Sequence, residues 1–323
     1  MNKTIYKLDQ KDKRILYELD SDARQSLSQI AKKVELSTEV VNYRVKKLED
    51  EKIITNYQLI TNLSKLGVLQ FKICLSFQHI RSKELSEKIA LLKEKSEIKW
   101  IVSCNGEWDL IVAAEASSIT EIDTIKNEVL ALFERLINKK AISILVEAST
   151  FNRDYLLDKK AARKGRIIMK QSEEIKLEEV ELNILKELSK NARKSSVDIA
   201  VKLKTTARIV AYHIQQLIKR EIILGFKIAI NYDKLGIKFH KTFVYLDNPS
   251  PQRVAELITY FENHKNIIHH VKVLGNWDLE PEFETSSTQE FNSIITRIKD
   301  NFSDIIKNID IITIQEEHKF VYF

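Results

Sequence analysis

Several groups of residues in this chain carry types and spacings that could do chemistry. Gly106-Glu107-Trp108-Asp109 and Gly275-Asn276-Trp277-Asp278 each combine a carboxylate able to hold an ammonium group, a glycine that bares its backbone N–H and an indole that can wall a cavity. The same residues fit a plain hairpin turn with a core tryptophan. Asp278, Glu280, Glu282 and Glu284 alternate with Leu279, Pro281 and Phe283, so four acids share one strand face. Adjacent carboxylates repel unless cations or water relieve them. This face is expected to meet a cationic effector, a metal or basic side chains of a partner, or else to be solvated; Pro281 suggests a bulge or an edge. Two helical stretches also expose a tyrosine among hydrogen-bonding side chains. With Val41, Val45 and Leu48 inward on a wheel of about 100° per residue, Glu39, Tyr43 and Lys46 point outward, flanked by Asn42 and Lys47. The second stretch points Arg208, Tyr212 and Gln215 outward, flanked by Ala211 and Gln216. Such a face makes a poor core and suits the reading of base edges, although an ordinary solvated helix carries similar charge.

The elements that position these groups occur twice. Trp108-Asp109-Leu110 recurs as Trp277-Asp278-Leu279, a displacement of 169 residues that also carries Lys65-Leu66-Gly67 onto Lys234-Leu235-Gly236. It carries Ala23-Arg24 onto Ala192-Arg193, Ile30-Ala31 onto Ile199-Ala200 and Tyr43 onto Tyr212, with no gap from Lys7 to Trp108. One module has been duplicated and fused. Its first part spells three short helices: Asp12 to Leu19, a second capped by Ser26 and a third capped by Ser37, with Ser195 and Thr206 as the later caps. Two helices on a tight turn, with Ala31 or Ala200 at the close approach, describe a helix-turn-helix. The second part alternates with period two at Phe71, Ile73, Leu75 and Phe77, then gives a helix (85–92) and strands at 98–103 and 108–116. A helix from Ile119 to Leu136 and a last strand (142–146) complete a βαββαβ order, repeated from His240–Leu246 to Ile309–Ile314. Its uncovered sheet face must be buried, and pairing the two copies within the chain achieves that.

Composition narrows the function classes. The 323 residues include 52 Lys and Arg against 46 Asp and Glu, 44% hydrophobic residues and only six Gly and three Pro. No Gly-rich phosphate loop is present, and Cys74 and Cys104 suggest neither a disulfide framework nor a zinc site, Cys104 fitting a small buried residue. The N-terminus is charged at once, and no uncharged apolar run is long enough to span a bilayer, so a cytoplasmic protein without a membrane partner is expected. Lys and Arg number twelve against ten acids over residues 1–60 and twelve against eight over 170–230. They number eleven against twelve over 66–151 and ten against fourteen over 231–323, so positive charge gathers on the helix-turn-helix parts. Asp158 to Arg166 is a basic connector between the copies.

A helix-turn-helix followed by a ferredoxin-like unit resembles the Lrp/AsnC (feast/famine) regulators. The matching residues are Leu8-Asp9, Asp12, Ile15-Leu16, Leu19, Asp22-Ala23-Arg24, Ile30-Ala31, Leu36-Ser37, Val41, Arg44-Val45 and Leu48, with the Gly-x-Trp-Asp turns. The glycine usual after the recognition helix is Lys52 here and Glu221 in the second copy, which also has Glu178 for Asp9, Thr206 for Ser37 and His213 for Arg44. The resemblance implies an α+β chain of two winged-helix/helix-turn-helix units alternating with two ferredoxin-like βαββαβ (RAM/Lrp-type) domains. The boundaries are 1–60, 66–151, a basic linker at 152–174, then 175–230 and 235–323. It implies double-stranded DNA as partner, contacted by Ser37, Thr38, Asn42, Tyr43, Arg44, Lys46 and Lys47, and by Thr206, Arg208, Tyr212, Gln215 and Gln216. It further implies a small-molecule effector such as an amino acid at Gly106, Trp108, Asp109, Gly275, Trp277 and Asp278, and assembly of chains into a homo-oligomer.

The expected function is thus a sequence-specific DNA-binding transcriptional regulator built as an intrachain pseudo-dimer. Two unlike reading heads favour an imperfect palindrome with half-sites about one or two helical turns apart. No catalytic residue, metal or cofactor is expected. Two alternatives are carried: an enzyme like the siroheme decarboxylases, whose aromatic, His- and Arg-rich substrate segment is not found here, and a sensing scaffold that no longer binds DNA.

Overall fold

Asp9 opens α1 (Gln10–Ser21): its carboxylate accepts the Asp12 N–H at 2.7 Å, and Asp12 bonds back to the Asp9 N–H. Ser26 and Ser37 cap α2 (Leu27–Val34) and α3 (Thr38–Asp50) through the N–H groups of Gln29 and Val40. Between them Glu35 is left-handed, which turns the chain sharply enough for Ile30, Ala31 and Val34 to pack with Val41, Val45 and Leu48. Lys52 has φ 54° and Glu221 φ 55°, so the positions where a glycine was expected do need the left-handed region, here occupied by side-chain-bearing residues. The computed structural model describes residues 5–157, 167–170 and 173–321. The first copy continues with β1 (Ile54–Thr61), β2 (Leu69–Phe77), α4 (Ser82–Lys93), β3 (Ile98–Gly106), β4 (Leu110–Ala116), α5 (Ile119–Leu132) and β5 (Ile137–Thr150). After β6 (Ile167–Lys170), an unforeseen strand, come α6 (Glu179–Lys190), α7 (Ser196–Leu203), α8 (Ala207–Lys219) and β7 (Ile223–Ile230). The chain ends with α9 (Tyr232–Leu235), β8 (Lys238–Leu246), α10 (Pro251–Asn263), β9 (Ile267–Leu274), β10 (Leu279–Thr285), α11 (Thr288–Asn301) and β11 (Ile306–Phe320). The connector from Asp158 to Arg166 lies outside the described residues. Among the described residues, no helix is long and apolar enough to cross a membrane.

The two helical heads are joined reciprocally. β1 and β7 form an antiparallel ribbon, with Tyr57 opposite Ile228 and Leu59 opposite Phe226. Ala23 N–H donates to Phe226 O and Ala192 N–H to Tyr57 O, so each head is stitched to the other head's ribbon strand. Arg24 donates to Ala192 O and Lys194 O at 2.5 and 2.9 Å and lies over the Phe226 ring; Arg193 donates to Ala23 O at 2.7 Å and lies over Tyr57. The Ala-Arg pair repeated in the sequence is therefore a clamp between heads. One continuous apolar core runs through both.

The two βαββαβ copies close one barrel. Its order is β2-β4-β3-β11-β8-β10-β9-β5, and β5 pairs again with β2, while β6 extends beside β5. The closing strands are longer than periodicity suggested, 14 residues in β5 and 15 in β11, because each serves two partners. In β5 the first half pairs with β2 (Phe71 opposite Ile144) and the second with β9 (Ala148 opposite Val271). In β11 the first half pairs with β8 (Ile309 opposite Val244) and the second with β3 (Ile314 opposite Cys104). Helices α4 and α5 cover the outer face of the first copy, and α10 and α11 that of the second. The inner faces meet in a core holding Cys74, Cys104, Trp108, Phe243 and Trp277.

Glycine permits the strand crossing. A Cβ on Gly106 (φ 128°) would lie 2.2 Å from Ile311 O in the other copy, and one on Gly275 would lie 2.8 Å from Ile142 O. Backbone oxygens held in a barrel cannot step aside as a side chain would. Gly106→Ala is expected to lower unfolding free energy by about 2 kcal/mol or more. Gly67→Ala, where the obstacle is the mobile carboxylate of Glu174 at 3.0 Å, should cost about 1 kcal/mol. Denaturant titration of both variants checks this, and equal costs would contradict it.

Candidate nucleic-acid interface

Buried apolar rows fix which side of each third helix faces outward. Val41, Val45 and Leu48 hold α3 to its head, leaving Tyr43 67% exposed with Ser37, Thr38, Lys46 and Lys47 also exposed and Asn42 half-buried. Val210, Ile214 and Leu217 hold α8, leaving Tyr212 56% exposed with Thr206, Arg208 and Gln215 exposed and Gln216 half-buried. Ser37 Oγ and Thr206 Oγ1 each accept a backbone N–H at 3.3 Å in the first turn, so both hydroxyls serve as caps. The outer faces differ: Glu39, Tyr43 and Lys46 in one head, Arg208, Tyr212 and Gln215 in the other.

Arg44 is engaged within its own head. Its Nη1 lies 2.7 Å from both Asp9 Oδ2 and Asp12 Oδ1, pinning α3 to the start of α1. Asp9 is thereby held below the usual carboxylate range despite the opposing effect of burial, with the Asp12 backbone N–H and the Arg44 guanidinium as causes. In the second copy Glu178 and Glu181 replace the acids and His213 replaces the arginine. His213 Nδ1 is 3.7 Å from Glu181 Oε1, and Arg220 supplies the close pair at 2.7 Å. The departures at Glu178 and His213 thus alter an internal brace, not the outward face of the helix.

The two Gly-x-Trp-Asp turns are built into the junction between copies. Asp109 Oδ2 accepts the Phe77 N–H at 2.7 Å, and Asp278 Oδ2 accepts the Leu246 N–H at 2.8 Å. Trp108 and Trp277 are buried with ring centroids 6.1 Å apart, and Gly106 and Gly275 let the crossing strand pass. Both aspartates are thus taken up by backbone N–H groups of their own copy, whereas Trp108 Nε1 is buried with no hydrogen-bond partner among the described residues. The acidic strand differs from the expectation. Lys72 and Lys241, equivalent positions of the two copies, both pair with Glu280, the latter at 2.8 Å, and Lys241 also takes Glu282 at 2.8 Å. Burial would raise the Glu280 carboxyl, but the two ammonium groups hold it well below its usual range. Trp277 Nε1–H donates to Glu280 at 2.9 Å. Glu284 receives Arg153 through Nε and Nη2 at 2.9 and 3.0 Å, and Arg153 also pairs with Asp20 of α1, where Lys227 joins at 3.0 Å. The cations are this chain's own, and among the described residues no group of three or more His, Cys, Asp or Glu could hold a metal. β10 lies between β8 and β9, so Pro281 is not on an edge; a register shift falls just after it, at Glu282 and Phe283.

Similarity to known proteins agrees with this geometry. A model of winged helix-turn-helix DNA-binding domains matches residues 8–55 and 177–223. A helix-turn-helix-type transcriptional regulator of Pyrococcus horikoshii is 32% identical over 123 residues, covering 36% of this chain and 79% of that protein. The helix-turn-helix-type transcriptional regulator LrpA of the same organism is 31% identical over 123 residues, covering 38% of this chain and 86% of its own length. The chain belongs to the Lrp/AsnC family of helix-turn-helix transcriptional regulators. Each relative matches about one module's length of this family member, which carries two. Over its whole length the chain shares the fold of the siroheme decarboxylase NirDL, with TM-score 0.61 at 12% identity, covering 96% of this chain and 93% of that one.

Sequence reasoning missed the Arg24 and Arg193 clamp, whose only signal was its repetition, and the Arg153 group. Arg44→Ala is expected to lower the melting temperature by releasing a partly exposed brace of about 1 kcal/mol. Lys46→Ala should leave melting unchanged and reduce the salt slope of DNA binding by about 1. A Lys46→Ala protein that melts early while binding with the parental salt slope would contradict this assignment.

Proposed function

We propose that this chain is a sequence-specific DNA-binding transcriptional regulator in which one polypeptide supplies both reading heads. The observation that carries the reading is the pair of outward faces on α3 and α8, centred on Tyr43 and Tyr212 and held in one body by the β1–β7 ribbon. Thr38, Asn42, Lys46 and Lys47 in one head, and Arg208, Gln215 and Gln216 in the other, are the proposed groove and phosphate contacts, with Ser37 and Thr206 at the helix starts. Because the faces differ, the preferred operator is an imperfect palindrome. Modulation by a small molecule such as an amino acid and assembly of chains into a homo-oligomer belong to the same proposal. A ligand reaching the Gly-x-Trp-Asp turns would have to part the Trp108 and Trp277 indoles, so its occupancy would be felt by both copies at once. Likeness to a siroheme decarboxylase concerns the fold and brings no chemistry at that identity.

Selection of sheared genomic fragments by the purified full chain, followed by footprinting, tests this reading. A discrete footprint of two unequal half-sites is expected, with affinity falling as salt rises in proportion to the phosphates contacted. Diffuse binding that vanishes at moderate salt would contradict it and favour the scaffold alternative.

A further inference from the structure

Between the β1–β7 ribbon and the barrel lies a cavity of about 780 Å³, a size that encloses a small organic molecule. Trp100, Leu145, Phe239 and Val271 line it from the barrel and Gln58 and Ile228 from the ribbon. Its ionic groups are unequally satisfied. Lys72 is held by Glu280, Lys99 lies 3.4 Å from Glu115, and Lys227 and Arg153 are taken up by Asp20 and Glu284. Asp233 and Lys238 are exposed and opposite in sign. Of the carboxylates facing the cavity, Glu316 lies 3.3 Å from His318, Glu282 takes Lys241 on one oxygen with His269 nearby and leaves the other oxygen toward the cavity, and Glu317 accepts the Trp100 Nε1–H at 2.9 Å. Glu317 is exposed at the rim of the cavity, makes no ion pair among the described residues and holds the Trp100 ring in place.

We propose that this cavity binds a small organic cation, an amine on an apolar or aromatic framework, with its ammonium between Glu317 and Glu282 beside the Trp100 indole. The ammonium supplies charge-assisted hydrogen bonds to the open carboxylate positions, the indole favours a cation nearby, and the apolar wall takes the framework. The opposite wall is the ribbon that joins the two heads, so an occupant touches the element that sets their relation. That regulatory consequence rests on the proposed DNA-binding function; the binding site does not.

Calorimetric titration of the full chain without DNA, using tryptamine and its anionic counterpart indolepropionate as matched probes, is the test. Saturable one-site binding of tryptamine is expected, at least about tenfold tighter than that of indolepropionate, and weakened about tenfold by Glu317→Gln with the melting temperature unchanged. Glu282→Gln is the second variant, with loss of tryptamine binding expected. Equal binding of both probes, tighter binding of the anion, no saturable heat with either, or undiminished binding in both variants would overturn the site. A second arm measures affinity for the selected DNA with and without tryptamine. A shift supports the regulatory consequence, and intact tryptamine binding without a shift overturns that consequence alone.

Discussion

Lys72 and Lys241 occupy equivalent places in the two copies and converge on Glu280 inside the barrel, where Glu282 completes a neutral group of two cations and two anions. The acids come from one copy only, since Ile111 and Ala113 stand where the second copy has Glu280 and Glu282. Two first copies placed together would bury two lysines without a counter-ion, and two second copies would bury two lysines among four glutamates. Only the unlike pair is neutral. Leaving one buried charge unpaired costs about 3–5 kcal/mol, comparable with the whole stability of many domains. The divergence that looked like an effector face in the sequence thus lets the two copies of this chain bury these charges as a neutral group.

From that pairing the arrangement of the heads follows. The barrel closes because β5 and β11 each pass from their own copy's first strand to a strand of the other, over glycines that admit the crossing. The ribbon and the reciprocal Arg24 and Arg193 bonds tie the heads to each other. Arg153 ties both heads to the barrel, pairing with Asp20 on α1, donating to Ile228 O on β7 and holding Glu284 on β10. No equivalent link exists among the described residues of the other side, where the position of Asp20 is Ser189 and that of Lys227 is Gln58.

Much of this was legible in the sequence, for identifiable reasons. Helices capped by Ser26, Ser37, Ser195 and Thr206 were readable because a capping oxygen and an apolar period are local signals. The displacement of 169 residues supplied the rest, since a pattern seen twice separates a fold from an accident. What the sequence concealed was pairing at long range. β5 and β11 outran their apolar alternation because their ends are held by partners in the other copy, and polar residues such as Glu316 and Lys319 carry no strand period there. The Arg44 brace was hidden because its acids lie 32 and 35 residues away. The partners of the Trp-Asp turns were hidden because neither the Phe77 N–H nor the second tryptophan is visible from the motif itself.

The central claim is that a buried, heterotypic charge group holds the two copies together. A double-mutant cycle on the full chain with Lys72→Met, Glu280→Gln and the pair, read by denaturant unfolding, tests it most directly. Each single variant should lose about 3 kcal/mol, while the double variant, which leaves Lys241 and Glu282 as a neutral pair, should lose little more than either. Single losses under about 1 kcal/mol that simply add in the double variant would contradict the account.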